Sequence, residues 1–204
     1  MEGILTKLES SDIKVRISAL EQLLARIKQR HLTECKNEIL VRVMSSCVAA
    51  LKDANPKVVL LCLDCVQLLL EAHGDSFQSL VNMCFDMLLS KLSDGKLNVR
   101  TRATQVMVDL INMLGLSAGF EKLGQHMAHK NFHVKEHILF AVLLLHRQYG
   151  EDIIAIPNLC VKVSVLLSDN QNSVRQLATD TLATLHSILG DSLLVRFYPS
   201  YNHY

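Results

Sequence analysis

The chain has 204 residues, half of them hydrophobic and 20% charged, with a formal net charge of +1. That composition excludes a disordered chain, and the length suffices to bury roughly 70% of the unfolded surface in one body. The near balance of charge excludes an overall basic field for nucleic acid or an anionic membrane, so an electrostatic partner has to meet a local patch.

The start, Met1-Glu2-Gly3-Ile4-Leu5, lacks the basic-then-apolar order of a secretory signal. A first helical stripe follows at Ile13, Ile17, Leu20, Leu24 and Ile27, two residues out of step with Val15 in Ile13-Lys14-Val15-Arg16. Next come Leu40, Met44, Cys47 and Leu51, then the polar turn Lys52-Asp53-Ala54-Asn55-Pro56, with Pro56 where a helix can begin. Beyond it Val58, Cys62, Cys65, Leu69 and Ala72 recur at intervals of four and three, one face of an α-helix. The alternation then repeats. Leu80, Cys84, Met87 and Leu88 precede the turn Ser93-Asp94-Gly95-Lys96, and Val99, Ala103, Val106, Leu110 and Met113 follow it. A short helix over Ser117 to Met127 precedes Val134, Ile138, Ala141 and Leu145. Leu159, Val163, Leu166 and Leu167 precede the turn Ser168-Asp169-Asn170-Gln171 and the stripe Val174, Ala178, Thr181, Leu185 and Ile188.

Val58, Val99, Val134 and Val174 are 41, 35 and 40 residues apart, and Val15 lies 43 before Val58. A helical pattern at this period predicts an all-α solenoid of about five HEAT-like helix pairs. With no linker in view, residues 1–190 read as one domain. Residues 191–204, with Phe197, Tyr198, Pro199, Tyr201 and Tyr204, read as an aromatic tail. No apolar run is long enough to span a bilayer; the richest, Val58 to Leu70, includes Asp64 and Gln67. Six cysteines, Cys35, Cys47, Cys62, Cys65, Cys84 and Cys160, sit in apolar runs as reduced core residues do, which favours the cytosol.

A solenoid offers surface rather than a pocket, and its intra-repeat turns form one line. That line carries Lys14 and Arg16, Lys57, Lys96 and Arg100, then Lys130, His133 and Lys135, and Arg175. Cations near a helix start oppose the helix dipole, so their repetition asks for a structural partner or an acidic ligand. Asp94 precedes Arg100 by six, and Asp169 precedes Arg175 by six, a spacing that resembles the one HEAT repeats generally share, which implies a pair that ties neighbouring repeats together. Lys57, Lys96, Lys130 and His133 have no such partner in the sequence. They are solvated charges or a binding edge.

His129-Lys130-Asn131-Phe132-His133-Val134-Lys135-Glu136, with Asp169-Asn170-Gln171-Asn172-Ser173-Val174-Arg175 forty residues on, resembles the TOG domains of CLASP-type microtubule-associated proteins. Lys57-Val58-Val59-Leu60-Leu61 resembles the second repeat of the first CLASP TOG domain. The resemblance covers roughly residues 1 to 190. It implies HEAT repeats whose turns bind tubulin, here through Lys14, Arg16, Lys57, Lys96, Arg100, Lys130, Phe132, His133 and Arg175. It also implies stabilisation of growing microtubules and a place on cytoplasmic arrays and the spindle. Family TOG domains have six repeats against five here. Many carry a tryptophan in the first turn, and this chain has none.

His126, His129, His133 and His137 raise a metal reading, but no carboxylate or cysteine stands at matching ligand spacing, and turn or surface histidines are the ordinary reading. Cys62 and Cys65 both lie on the core stripe, where thiols pack rather than react. No P-loop, dinucleotide fingerprint, nucleophile elbow or paired-carboxylate motif is present, so no catalysis and no cofactor are expected. A general HEAT scaffold that binds another protein through its helix faces, and a TOG relative that does not bind tubulin, stay open as alternatives.

Overall fold

The computed structural model describes residues 1–29, 36–156 and 158–189. Cys35 and the tail 191–204 lie outside the described residues, as does the side chain of Ile188. Ten α-helices and three 3-10 turns make up the described elements, the all-α architecture that the solenoid reading expects. They form two compact units, Met1–Met113 and Leu114–Tyr204.

In the first unit α1 (Glu2–Leu8) packs on α2 (Ile13–Lys28), and α3 (Asn37–Ala50) packs on α4 (Pro56–His73). The partners α2 and α4 also lie against each other, and α1 meets α3. After the 3-10 turn Gly74–Leu80 come α5 (Val81–Lys91) and α6 (Leu97–Leu114). In the second unit α7 (Leu116–Gly124) precedes α8 (Phe132–Tyr149), and α9 (Leu159–Ser164) precedes α10 (Asn172–Leu189). Helices α8 and α9 both pack on α10, and the Lys162 ammonium sits 5.9 Å above the Phe120 ring, tying α9 to α7.

The spacing rule selects the core. Val58, Cys62, Cys65 and Leu69 are fully buried; so are Val99, Ala103, Val106 and Leu110. Val134, Ile138, Ala141 and Leu145 repeat the pattern in α8, as do Val174, Ala178, Thr181 and Leu185 in α10. Thr181 is the polar member, and its hydroxyl donates to the Leu177 carbonyl at 2.7 Å, which satisfies it inside the core. Cys47, Cys62, Cys65 and Cys84 are buried thiols.

Several expectations need correction. Buried in α2 are Ala19, Leu20, Leu23 and Ile27, while Ile13 is 43% exposed. Counted from its N-cap Asp12, Val15 and Ala19 hold the places of Val58 and Cys62 counted from Asn55, but Val15 is half-buried and Gln22, in the place of Cys65, is exposed, so this first repeat matches the others only at its start. Ala72 is exposed, next to the 3-10 turn that ends α4. Leu166 is buried but Leu167 is 40% exposed, because the helix tightens to 3-10 geometry at Val165–Ser168 and shifts the stripe. The short helix of the fourth pair spans nine residues, starting at Leu116 after Gly115, whose φ of 85° suits glycine.

Candidate functional site

The five turns that lead into α2, α4, α6, α8 and α10 share one local construction. A side chain two residues before the cap position accepts from the cap's own N–H. Ser10 Oγ accepts from Asp12 N at 3.2 Å, Asp53 from Asn55 at 2.8 Å and Asp94 from Lys96 at 2.9 Å. His129 Nδ1 accepts from Asn131 N at 3.0 Å, and Asp169 from Gln171 at 2.9 Å. Where the cap is Asp12, Asn55 or Asn131, its side chain accepts in turn from Lys14, Lys57 or His133 N, at 2.8 to 2.9 Å. Each turn is thus fixed by side-chain acceptors that satisfy orphan helix N–H groups, and the residues beside the cap are held in repeated positions.

The residue after each marker valine is Arg16, Val59, Arg100, Lys135 and Arg175. Arg16 Nη1 donates to the Ser10 carbonyl at 2.7 Å, Arg100 Nη1 to that of Asp94 at 2.8 Å and Arg175 Nη1 to that of Asp169 at 2.7 Å. The six-residue Asp-to-Arg spacing therefore marks a guanidinium-to-carbonyl bond inside one turn, and does not itself link repeats. The links run forward to the next turn's carboxylate. Arg16 Nε donates to Asp53 Oδ2 at 2.7 Å, and Lys135 pairs with Asp169, all four side chains being largely buried. Lys135 was legible as a turn cation but not as a linking one; its place after Val134 is the signal that equates it with Arg16.

The expected binding residues separate into two groups. Arg16, Arg100 and Arg175 are bound into their turns. Lys14, Lys57, Lys96 and Lys130 are exposed. Lys57 does have a partner, Glu21 at 3.4 Å, but both side chains are more than half exposed, and such a pair contributes little. Phe132 and His133 are half-buried, with ring centroids 4.0 Å apart, and His133 Nδ1 lies 3.1 Å from Glu136 Oε2. His137 departs from the surface reading and is buried. Among the described residues no group of three His, Cys, Asp or Glu side chains is placed to hold a metal, and no helix is long and apolar enough to cross a membrane.

Burial alone would raise the pKa of Asp169. The hydrogen bonds from Lys135 and Gln171 N, with the charges of Lys135 and Arg175, outweigh it and hold the carboxyl below its usual value. Asp169→Ala is expected to cost about 2–3 kcal/mol at neutral pH, from the lost charged hydrogen bond and the unpaired Lys135. A depressed carboxyl pKa stabilises the fold above the unfolded value of about 3.9, and that contribution is lost as pH falls through the folded value. Thermal melts of wild type and Asp169→Ala should therefore differ at pH 7 and draw together as pH falls below the usual carboxylate range. A constant gap would show that the carboxylate's charge is not what stabilises the turn.

These features define a HEAT-type helical repeat protein with exposed lysines beside its turns. The model of the XMAP215/Dis1/CLASP TOG domain family matches residues 3–199, and the chain belongs to that family. It is 25% identical over 183 residues to TOG array regulator of axonemal microtubules protein 1 of Homo sapiens, and 25% identical over 183 residues to that of Mus musculus. Each match takes in 90% of this chain but only 11% and 10% of the relative, so the chain spans about a tenth of the length of these curated relatives. The crystal structure of the MAST/Orbit N-terminal domain aligns with a TM-score of 0.83 at 22% identity, over 98% of this chain and 89% of that one. A TOG domain of crescerin, described as using a TOG array to regulate microtubules in the primary cilium, aligns at 0.79 and 22% identity, over 94% and 78%. At these identities the structural likeness establishes the fold.

Proposed function

We propose that residues 1–190 act as a non-catalytic tubulin-binding domain, with 191–204 as a tail, and that the domain regulates microtubule dynamics and stability. The observation that carries this reading is the family match across nearly the whole chain. Solved relatives are described in terms of tubulin recruitment and TOG–tubulin binding specificity. Lys14, Lys57, Lys96 and Lys130 are the residues we assign to first contact, because they are exposed and sit beside rigid turns. Arg16 and Arg100 hold the turns of Lys14 and Lys96, Arg175 holds the turn before α10, and Phe132 and His133 add a partly apolar contact. The acidic tubulin surface would be drawn by charge and docked on these positions. A CLASP-like action, stabilising growing microtubules in cytoplasmic arrays and on the spindle, rests on the resemblance of the 129–136 and 169–175 stretches to CLASP TOG domains. The similarity to regulators of axonemal microtubules favours a second setting, the cilium.

Co-sedimentation with stabilised microtubules, across a salt series, tests the reading. Binding should weaken severalfold as ionic strength rises from about 0.1 M, where the screening length is already near 10 Å. If the folded protein neither sediments with microtubules nor co-elutes with free tubulin, the tubulin reading fails, and a HEAT scaffold for another protein takes its place.

A further inference from the structure

Leucine is an odd residue at position 97. It is the first residue of α6, where proline or an acid suits the unpaired N–H groups and the dipole, and it is 62% exposed. It thus buries little apolar area and contributes little to the helix start. A residue that breaks a local rule without a structural gain marks a place to look for function. The same first position holds Ile13 in α2 and Pro56 in α4, both exposed, so the first unit places an apolar residue beside the lysine-bearing caps of three successive turns. At Leu97 that residue borders a groove. Leu60 of α4 and Leu97, Asn98, Thr101, Arg102 and Gln105 of α6 line an open depression of about 560 Å³. Arg102 in that lining is held by its own bonds, donating to Asp64 at 2.7 Å and to Gln67. Exposed Lys96 directly precedes Leu97, and exposed Lys57 stands three residues, about one helical turn, before Leu60 on α4.

We infer that this groove is an anchor pocket of the tubulin-binding edge, which takes an apolar side chain projecting from an acidic surface of tubulin. The inference rests on the tubulin reading above and deepens it. Charge selects the occupant: Lys96 has no ion-pair partner among the described residues, and Lys57 has only a solvent-exposed one. The lysines therefore favour an acidic surround, while Leu60 and Leu97 favour an apolar side chain at its centre. This is the arrangement of an interface anchor, a buried apolar contact ringed by charge. Lysines then set the rate of encounter and its salt dependence, and the groove sets residence time.

Leu97→Gln removes the apolar contact without changing charge, at a position exposed enough for the fold to be kept. Its affinity for stabilised microtubules and for free tubulin should fall about tenfold, with an unchanged salt slope. Leu97→Met should bind nearly as wild type. Lys96→Gln should instead flatten the salt slope. An unchanged affinity of Leu97→Gln, within twofold, overturns the inference while wild-type binding keeps the tubulin reading. An equal loss in Leu97→Met overturns it as well, since an apolar side chain would then not be what the groove provides. A wild type that binds no tubulin at all overturns both.

Discussion

The triple variant Lys57→Glu, Lys96→Glu and Lys130→Glu is expected to bind microtubules about 100-fold more weakly than wild type. Each lysine is exposed. A solvated charge contact of this kind contributes about 0.2–1 kcal/mol. Reversal replaces attraction by repulsion of similar size, so about 1 kcal/mol is lost per site and about 3 kcal/mol in all. At 1.4 kcal/mol per factor of ten, that is about two decades. The fold should survive, because glutamate is favourable near a helix N-terminus. The one local penalty is at position 57, where the new acid faces Glu21, 3.4 Å from the present ammonium. Co-sedimentation at fixed salt measures the loss, and helical circular dichroism checks the fold. A well-folded variant that keeps wild-type affinity would move the binding site away from the turns.

Phe85→Ala should lower the unfolding free energy by about 3–5 kcal/mol. Phe85 is among the largest fully buried side chains, and it stands on α5 beside the buried Cys84. Its removal loses transfer energy and leaves a cavity that the neighbouring helices close only in part. Against a typical total of about 5–15 kcal/mol this is a large fraction, and for a chain of this size it amounts to a drop in Tm of about 6–20 °C. Thermal or urea unfolding measures it. A shift under about 1 kcal/mol would mean that the surroundings collapse onto the vacated space. The turns before α4 and α6 belong to the same unit, so partial unfolding here should take Lys57 and Lys96 with it.

Much of the fold was legible because α2, α4, α6, α8 and α10 start from the same turn construction. In α4, α6, α8 and α10 the positions three, seven and ten residues beyond the cap are buried, with the valine marker the first of them, whereas in α2 the marker is half-buried and the tenth place holds exposed Gln22. The misses lie where that clock is interrupted. Ile13 belongs to the apolar residues of α2 but stands at the first helical position, exposed, and Leu167 falls where α-helix tightens into 3-10 turn. The turn chemistry was harder to read, since it depends on which group accepts. His129 takes the acceptor place that Asp53, Asp94 and Asp169 fill elsewhere, a substitution that residue type alone does not suggest. Lys135 escaped for a related reason: a search for aspartate–arginine spacing passes over a lysine in the same role. The exposed lysines were all visible in the sequence. The groove beside Leu97 was not, because it is assembled from residues on two helices 37 positions apart.

The thiols sealed in the first unit give the protein an internal clock. Cys47 is pushed well up in pKa by its hydrogen bond with Cys65 and by burial. Cys62 is pushed up by burial and by the neighbouring Cys65, and burial raises Cys84 to about 11. Alkylating reagents attack the thiolate, so these groups stay silent while the helices are closed. They become reactive when the unit opens, and their labelling rate then counts openings of Met1–Met113 rather than of the second unit. Half-buried Cys160, in the second unit, keeps separate time. With mass spectrometry to assign each alkylated site, the breathing of the lysine-bearing turns can be followed with no label added.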